Sequence, residues 1–191
     1  MDKISFDDVL NIYEYEKQRK ARRCKLMETK ARRRIAVGDR VTFLFENRET
    51  VLNQIHEMVR AERIVDDDKV REEIEVYNEL IPGDGGLSAT MFIEITELKM
   101  IQPQLDRLLG IDDCVTIEVG QHKIKGLFDP RQSCEDRISA VHYIRFPFQR
   151  EAIEALKSGA QVRIVIAHKN YRASADVLDA LREELLEDLG A

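Results

Sequence analysis

The chain has 191 residues, of which 43% are hydrophobic and 35% are charged, and its formal net charge at neutral pH is −6. This size and composition predict one globular domain, or one domain with a helical extension. The sequence lacks an apolar run of roughly 18 residues and a secretory signal pattern, so we expect a cytoplasmic protein without membrane contact.

Positive charge is concentrated near the N-terminus. Residues 17–34 contain ten Lys or Arg and one acid, Glu28, so this segment carries +9 and the remainder carries −15. Such a segment packs on the acidic body or on a partner subunit, or it contacts the phosphates of a nucleic acid or nucleotide. The acidic remainder disfavours nucleic acid. The three scattered cysteines form no CxxC pair, which favours reduced thiols.

The N-terminal segment is predicted to be helical. Ser5 is a suitable cap, and four apolar residues recur on one helical face: Phe6, Val9, Leu10 and Tyr13. The helix is expected to continue to about Arg34 with a thin apolar stripe and to end before the turn at Gly38. We therefore divide the chain into a basic N-terminal helix that packs on the body, residues 1–37, and a single α+β domain, residues 38–191.

The next segment alternates at residues 41–45, which predicts a strand. Asn47 is the expected N-cap of the following helix, and a further helix is predicted over residues 69–80. Strands are predicted at 87–96, 114–119, 122–128, 138–146 and 162–168. The Gly120-Gln121 turn predicts a hairpin in which Ile117 lies opposite Ile124.

The last helix is expected to begin at a Ser174 cap and to carry a leucine stripe. Acids crowd its C-terminal half, so a basic surface is expected close to it. With shorter helices at 97–109 and 149–157, the sequence predicts an α+β fold. Its sheet is mixed or mainly antiparallel and has about six strands, with five or six helices around it.

Polar side chains cluster where the strand at 41–45 meets the next helix. They are joined by two residues that precede the glycine-rich turn at 82–86, and the full candidate set is Glu46, Asn47, Arg48, Gln54, Glu57, Arg60, Glu62, Tyr77 and Asn78. Such a set can bind an anion or orient a substrate. It can equally fix the start of the helix through a cap and ion pairs, and the sequence leaves both interpretations open.

Metal chemistry receives little support from the spacing of the ligands. His56 and Glu57 resemble the start of a zinc-protease helix, but the second histidine position is Arg60, which excludes that motif. A metal-dependent enzyme that uses Glu46, Glu57 and the distant His142 remains an alternative hypothesis. We assign no metal ligands, and the residues identify no cofactor.

Several runs of sequence match the pattern of a known family. They are KARRR at 30–34, VG at 37–38, FLFENRET at 43–50, QI-x-EM-x-RAE at 54–62, YNELIPG at 77–83, LSAT at 87–90, IEI at 93–95 and VHY-x-RF at 141–146. On these runs the chain resembles an uncharacterised bacterial family, a domain of unknown function, over nearly its whole length. The resemblance implies no established activity. The family's genes often neighbour those of rubrerythrin-like proteins and iron–sulfur oxidoreductases, which implies a role beside iron or redox chemistry.

These observations favour a non-catalytic cytoplasmic accessory or binding protein linked to redox or iron–sulfur metabolism. It would hold a redox or iron–sulfur partner protein, or a small anionic ligand, on the surface between Glu46 and Glu62 and on the basic helix. Self-association is a further expectation. The alternatives are the metal enzyme using Glu46 and Glu57, and nucleic-acid or nucleotide binding through residues 17–34.

Overall fold

The computed structural model describes residues 1–129, 133–134 and 137–190. Within these residues the chain forms six α-helices and three 3-10 turns. The helices are α1 Ile12–Arg32, α2 Arg48–Ala61, α3 Asp67–Asn78, α4 Ile101–Arg107, α5 Arg150–Lys157 and α6 Asp179–Asp188; the turns are Phe6–Asp8, Leu98–Met100 and Ile111–Asp113. None of the helices in this described part is both long and apolar enough to cross a bilayer.

The described strands form two larger sheets and one short hairpin. In chain order they are β1 Arg34–Val37, β2 Val41–Glu46, β3 Gly86–Ile93, β4 Val115–Val119, β5 His122–Lys125, β6 Leu127–Phe128, β7 Ser133–Cys134, β8 Arg137–Ile138, β9 Val141–Pro147, β10 Val162–His168 and β11 Tyr171–Asp176. One sheet has the order β1-β2-β3-β9-β6 and the other has the order β11-β10-β4-β5. All pairings between these strands are antiparallel, so the fold is α+β.

The sheets and helices pack around two hydrophobic cores. One face of the five-stranded sheet shares the main core with the four-stranded sheet, as in the cluster of Phe43, Met91, Ile117 and Ile164. The opposite face carries α2 and α3 over a second core, which includes Val51, Ile55, Ile74 and Tyr143. Strand β2 is buried on both faces for this reason.

Two local predictions are confirmed by the structure. Asn47 caps α2, as its side chain accepts a hydrogen bond from the Thr50 backbone N–H. In the β4–β5 hairpin, Ile117 pairs with Ile124.

The start of the predicted N-terminal helix was wrong, whereas its end at Arg32 lies close to the expected Arg34. The segment after Ser5 forms only the turn Phe6–Asp8, and α1 starts after Asn11, whose side chain accepts from the Glu14 N–H. Residues 34–37 form β1, because pairing with β2 provides their hydrogen bonds.

The predicted cap of the last helix was also wrong. Ser174 lies in β11 and pairs with Val165, and α6 begins at Asp179. Strand β11 was missed because its alternating apolar residues include two alanines, Ala173 and Ala175, and alanine has little preference for strands. The predicted strand 122–128 divides into β5 and β6, which lie in different sheets. With this division and with β1 and β11 added, the expected sheet of about six strands becomes two sheets of five and four strands.

Candidate functional site

The junction between β2 and α2 is held by a reciprocal capping arrangement. The Asn47 side chain accepts from the Thr50 N–H at 2.9 Å, and the Thr50 hydroxyl accepts from the Asn47 N–H at 2.9 Å. These bonds satisfy backbone donors at the start of the helix. Asn47 therefore has a local structural task.

Glu46 forms the buried end of the same junction, with only 1% of the residue exposed. Its carboxylate accepts from the hydroxyls of Thr50 and Thr90, both at 2.5 Å, and from the Gln54 amide at 3.1 Å. Thr90 lies on β3, whereas Thr50 and Gln54 lie on α2. The carboxylate consequently fixes α2 on the face of the five-stranded sheet.

Glu57 points to α1 instead. Its two oxygens accept from Arg19 at 2.8 and 2.9 Å, and one of them also accepts from the Tyr15 hydroxyl at 2.7 Å. The bonds from Arg19, together with Tyr15, lower the pKa of Glu57 to about 2 in spite of partial burial. Glu57 therefore stays ionised and joins α2 to α1.

The neighbouring His56 is buried rather than solvated, with 2% of the residue exposed. Its Nε2 accepts from the Leu10 backbone N–H at 2.9 Å, and its ring stacks on Tyr15 with 4.6 Å between ring centroids. Burial lowers the pKa of His56 to about 4, so the ring is neutral at physiological pH.

The two arginines of the predicted set bind the N-terminal segment. Arg48 pairs with Asp8 at 2.7 Å, and Arg60 pairs with Glu16 at 2.6 Å. Glu62 is the exposed residue that follows α2 at its C-terminal end. Arg60, like Glu57, therefore binds α1.

Asn78 attaches the start of the chain to the end of α3. Its side chain accepts from the Ile4 N–H at 2.8 Å and donates to the Ile4 carbonyl at 2.9 Å. Lys3 donates to the Asn78 and Ile81 carbonyls at 2.6 and 3.1 Å. This end of α3 thus receives a cation from the N-terminal segment.

Tyr77 lines a cavity, which we call the α3 pocket. It has a volume of about 750 Å³ and lies between α3 and the strands β3, β6 and β9. The helix provides Val76 and Tyr77, Leu80 follows the end of the helix, and the edge strand β6 provides Leu127 and Phe128. Mostly apolar walls of this volume are typical of small-molecule sites.

The sheet adds polar groups to the α3 pocket that we did not select from the sequence: Ser88, Tyr143 and Arg145. Burial raises the pKa of Tyr143, and the Glu46 carboxylate adds to the shift. Burial also raises the pKa of Tyr77 to about 12, so the phenols stay protonated at neutral pH. The sequence signal was the alternation in β9, where His142, Ile144 and Phe146 face the main core and Tyr143 and Arg145 face the helices.

A second, more open groove lies between α1, the end of α2 and the start of α3. It has a volume of about 1080 Å³, and its walls include Phe6, Ile12, Tyr13, Ile64 and Val65. The groove also has polar lining residues, among them Asn11, Arg60 and Arg63, so both cavities combine apolar and polar walls. The α3 pocket is the more enclosed of the two, and the five-stranded sheet forms one side of it. The α3 pocket is therefore the better candidate for specific recognition of a small molecule.

The residues of the metal-enzyme hypothesis lie apart. Glu46 faces β3, Glu57 faces α1, and His142 is buried in the main core, where its Nε2 lies 2.7 Å from the Ser139 carbonyl. Across residues 1–129, 133–134 and 137–190, no three His, Cys, Asp or Glu side chains come together as a metal-binding group.

The basic segment is partly neutralised by its own chain. Arg33 is buried and donates to Glu184 at 2.7 Å and to Asp188, while Arg32 donates to the other oxygen of Glu184 at 2.7 Å. The basic surface expected beside the acids of the last helix is therefore supplied by the end of α1. By contrast, Lys20 and Arg23 are exposed.

Comparison with known proteins identifies relatives without an assigned activity. A family model described as "Protein of unknown function (DUF3501)" matches residues 3–189. The chain is also similar to a crystal structure of a novel protein of unknown function from Burkholderia pseudomallei K96243. The two are 30% identical with a TM-score of 0.93, and the match covers 98% of this chain and 100% of the other. No curated protein matches the sequence.

Proposed function

The chain belongs to the DUF3501 family of proteins of unknown function, and we propose that it is a non-catalytic binding protein whose small-molecule ligand occupies the α3 pocket. The observation that carries this proposal is the composition of the pocket. Apolar walls surround the hydroxyls of Tyr77, Tyr143 and Ser88 and the guanidinium of Arg145. A few convergent polar groups in an apolar cavity fix the orientation of a ligand.

The Glu46 network supports the same proposal because it stiffens the wall behind the pocket. Ser88 lies opposite Glu46 in the β2–β3 pairing, and Thr90, which donates to Glu46, lies opposite Tyr143 in the β3–β9 pairing. A site gains affinity when its supporting residues are already ordered before the ligand binds.

The phenols of the pocket enter the proposed function as protonated groups. The pKa of Tyr77 is about 12 and that of Tyr143 is raised. Both groups are therefore poor general bases near neutral pH and serve as neutral hydrogen-bonding groups.

A screen of ligands by thermal unfolding tests this function. The library holds small amines, carboxylates and alcohols with apolar bodies, and a true ligand raises the Tm of the wild-type protein. Tyr77→Ala should abolish that rise, whereas Tyr13→Ala, which removes an exposed tyrosine from the other groove, should preserve it. Ligands that stabilise Tyr77→Ala as well as the wild type would contradict the proposed site.

A second function is favoured by the exposed side of α1, which we propose as the contact surface for an acidic partner protein. Within the described residues, Lys20 and Arg23 make no ion pair with their own chain, and Met27 between basic residues is 69% exposed. Cation and apolar contact together suit a protein surface better than a phosphate backbone. A cytoplasmic location and a redox or iron–sulfur partner are included in this proposal through the gene neighbourhood that the resemblance implies.

Affinity capture with a charge-reversed protein tests the partner surface. Lys20→Glu with Arg23→Glu should lose a protein that the wild type retains at low salt. Lys99→Glu with Lys169→Glu makes the same change in net charge on other exposed sites and should retain it. If the wild type instead captures nucleic acid, and added salt weakens this binding steeply, the surface binds nucleic acid and not a protein partner.

A further inference from the structure

We propose that the ligand of the α3 pocket is an organic cation, an amine or quaternary ammonium with an apolar body. This inference rests on the proposed binding function and adds the chemical class of the ligand. Three properties of the pocket carry it: the sign of its charge, its aromatic walls and the position of Glu73.

Among the described residues that line the cavity, acidic side chains outnumber basic ones. Glu73, Glu79 and Asp129 are acidic, and Arg145 is basic. Behind the wall lies the buried carboxylate of Glu46, whose charge already acts on Tyr143. A cavity with this balance of charge attracts positively charged ligands.

The aromatic side chains give a cation a specific contact. Tyr77, Tyr143 and Phe128 all line the same cavity, from α3, β9 and β6 respectively. The negative face of an aromatic ring binds an ammonium group, and several rings together form the usual recognition site for quaternary ammonium ligands. The aliphatic walls from Val76, Leu80 and Leu127 would contact the body of the ligand.

Glu73 is placed to complete the contact with the cation. It precedes Tyr77 by four residues, so the two side chains share one face of α3 and one wall of the pocket. Burial raises the pKa of Glu73, and the nearby carboxylates of Glu62 and Glu72 add to the effect. A bound cation would relieve this unfavourable environment.

The N-terminal segment brings a positive charge of the protein itself to this region, where burial and Arg145 lower the pKa of Lys3 and Glu79 opposes that shift. Lys3 donates to the carbonyls of Asn78 and Ile81 at the end of α3. Lys3 and Arg145 limit the excess of negative charge. The competing ligand is therefore an anion bound by Arg145, and the experiment has to separate the two signs.

Three ligands with the same phenylpropyl body distinguish a preference for cations from a preference for anions. They are 3-phenylpropylamine, 3-phenylpropionate and 3-phenylpropanol, and each is titrated calorimetrically into the full chain at neutral pH. The amine should bind about tenfold more tightly than the alcohol, the typical size of an ammonium–aromatic contact, and the propionate should bind most weakly. Glu73→Gln should remove most of this preference. Glu75→Gln, the same change on an exposed residue of α3 outside the pocket, should leave it intact.

Tyr77→Phe tests the aromatic contact separately, because it keeps the ring and removes the hydroxyl. It should retain the preference for the amine, and Tyr77→Leu should lose it. Tighter binding of the propionate or the alcohol would overturn the organic-cation inference and leave the pocket as a binding site. Failure of all three ligands to bind would count against the pocket function as well.

Discussion

Arg33 donates to the carboxylate of Asp188 at a point where both side chains are almost completely buried, with 1% and 3% of their surfaces exposed. The contact joins the residue that follows α1 to the last residue of α6. Arg33 also donates to the Phe45 carbonyl at 2.9 Å, so it reaches strand β2. One guanidinium thus connects the N-terminal helix, the five-stranded sheet and the C-terminal helix.

Replacement of Arg33 by methionine should lower the free energy of unfolding by about 3–5 kcal/mol, because it leaves the Asp188 carboxylate buried without its partner. Arg32→Met is the control, since Arg32 pairs with the same Glu184 from an exposed position and should cost less than about 1 kcal/mol. Urea denaturation measures both. Equal losses of unfolding free energy in the two variants would show that burial does not strengthen the contribution of Arg33.

The loss of stability in Arg33→Met should also depend on pH. Burial raises the pKa of Asp188 to about 6 even beside Arg33, and without the guanidinium the pKa should rise further. A carboxyl with a raised pKa in the folded state stabilises the protein when it is protonated, and this contribution is lost as the pH rises. The deficit of Arg33→Met relative to the wild type should therefore be smaller at pH 5 than at pH 8.

Contacts between residues close together in the chain were easier to predict from the sequence than contacts between distant residues. The Asn47 cap and the β4–β5 hairpin depend on residues close together in the chain, and local patterns identified them. Arg33 finds Glu184 and Asp188 across more than 150 residues, which no local spacing marks. Strand β11 is an exception, since it pairs with β10 across a turn of only two residues, Lys169 and Asn170, and was missed because alanine has little preference for strands.

For the candidate site as well, the sequence indicated local neighbours but not the contacts between distant residues. The sequence correctly placed Glu46, Asn47 and Gln54 at one junction, but it could not distinguish a binding surface from contacts within the chain. The structure gives most of the predicted set partners on α1, α2, β3 or the N-terminal segment. Tyr77 is the member that lines the α3 pocket, and Tyr143 completes the pocket from a strand 66 residues later.

The contact between Glu46 and Thr90 should show strong energetic coupling. In a double-mutant cycle of Glu46→Gln and Thr90→Val, we expect an interaction energy of about 1–2 kcal/mol, because a buried hydroxyl donates to a charged acceptor at 2.5 Å. Thr116 lies on the other sheet, so a cycle of Glu46→Gln with Thr116→Val should give a value near zero. Chemical denaturation of the six proteins supplies the energies, and similar coupling in both cycles would refute the local contact.

His56 should make the protein less stable between pH 6.5 and pH 4. Its pKa is lowered from 6.5 to about 4 in the folded state, so folding favours the neutral ring. This stabilisation is complete above pH 6.5 and is lost as the pH falls towards 4, since a protonated Nε2 would face the Leu10 N–H that it now accepts. The shift corresponds to a loss of roughly 3 kcal/mol at most.

His56→Gln removes the titrating group and keeps an acceptor for Leu10, so it should flatten the decline in stability over this range. His142, whose pKa burial also lowers, is present in both proteins and cancels in the comparison. The pKa of Glu57 is about 2 and its usual value is 4.5, so its own contribution is lost only below that range. Parallel curves for wild type and variant between pH 7 and pH 4.5 would show that His56 is not the source.

Gly38 should tolerate no side chain, because it combines a positive φ of 77° with a close approach to β11. A Cβ there would meet the Tyr171 hydroxyl and lie 2.8 Å from the Ala173 Cβ. Tyr171 cannot move aside freely, since its hydroxyl donates to the Val37 carbonyl at 2.7 Å and accepts from the Arg40 N–H at 3.2 Å. The tyrosine therefore holds both sides of the β1–β2 turn against the second sheet.

Gly38→Ala should lower the free energy of unfolding by about 2–4 kcal/mol, as the strain of a left-handed alanine adds to the overlap with Tyr171. Gly159→Ala is the matched control, because Gly159 has a φ of 88° but open space around its Cα. Its loss should be about 1 kcal/mol, from backbone strain alone. Denaturation midpoints of the two variants separate the backbone strain from the overlap with Tyr171. If both variants lose the same free energy of unfolding, the contact between the turn and β11 does not contribute to the requirement for glycine at residue 38.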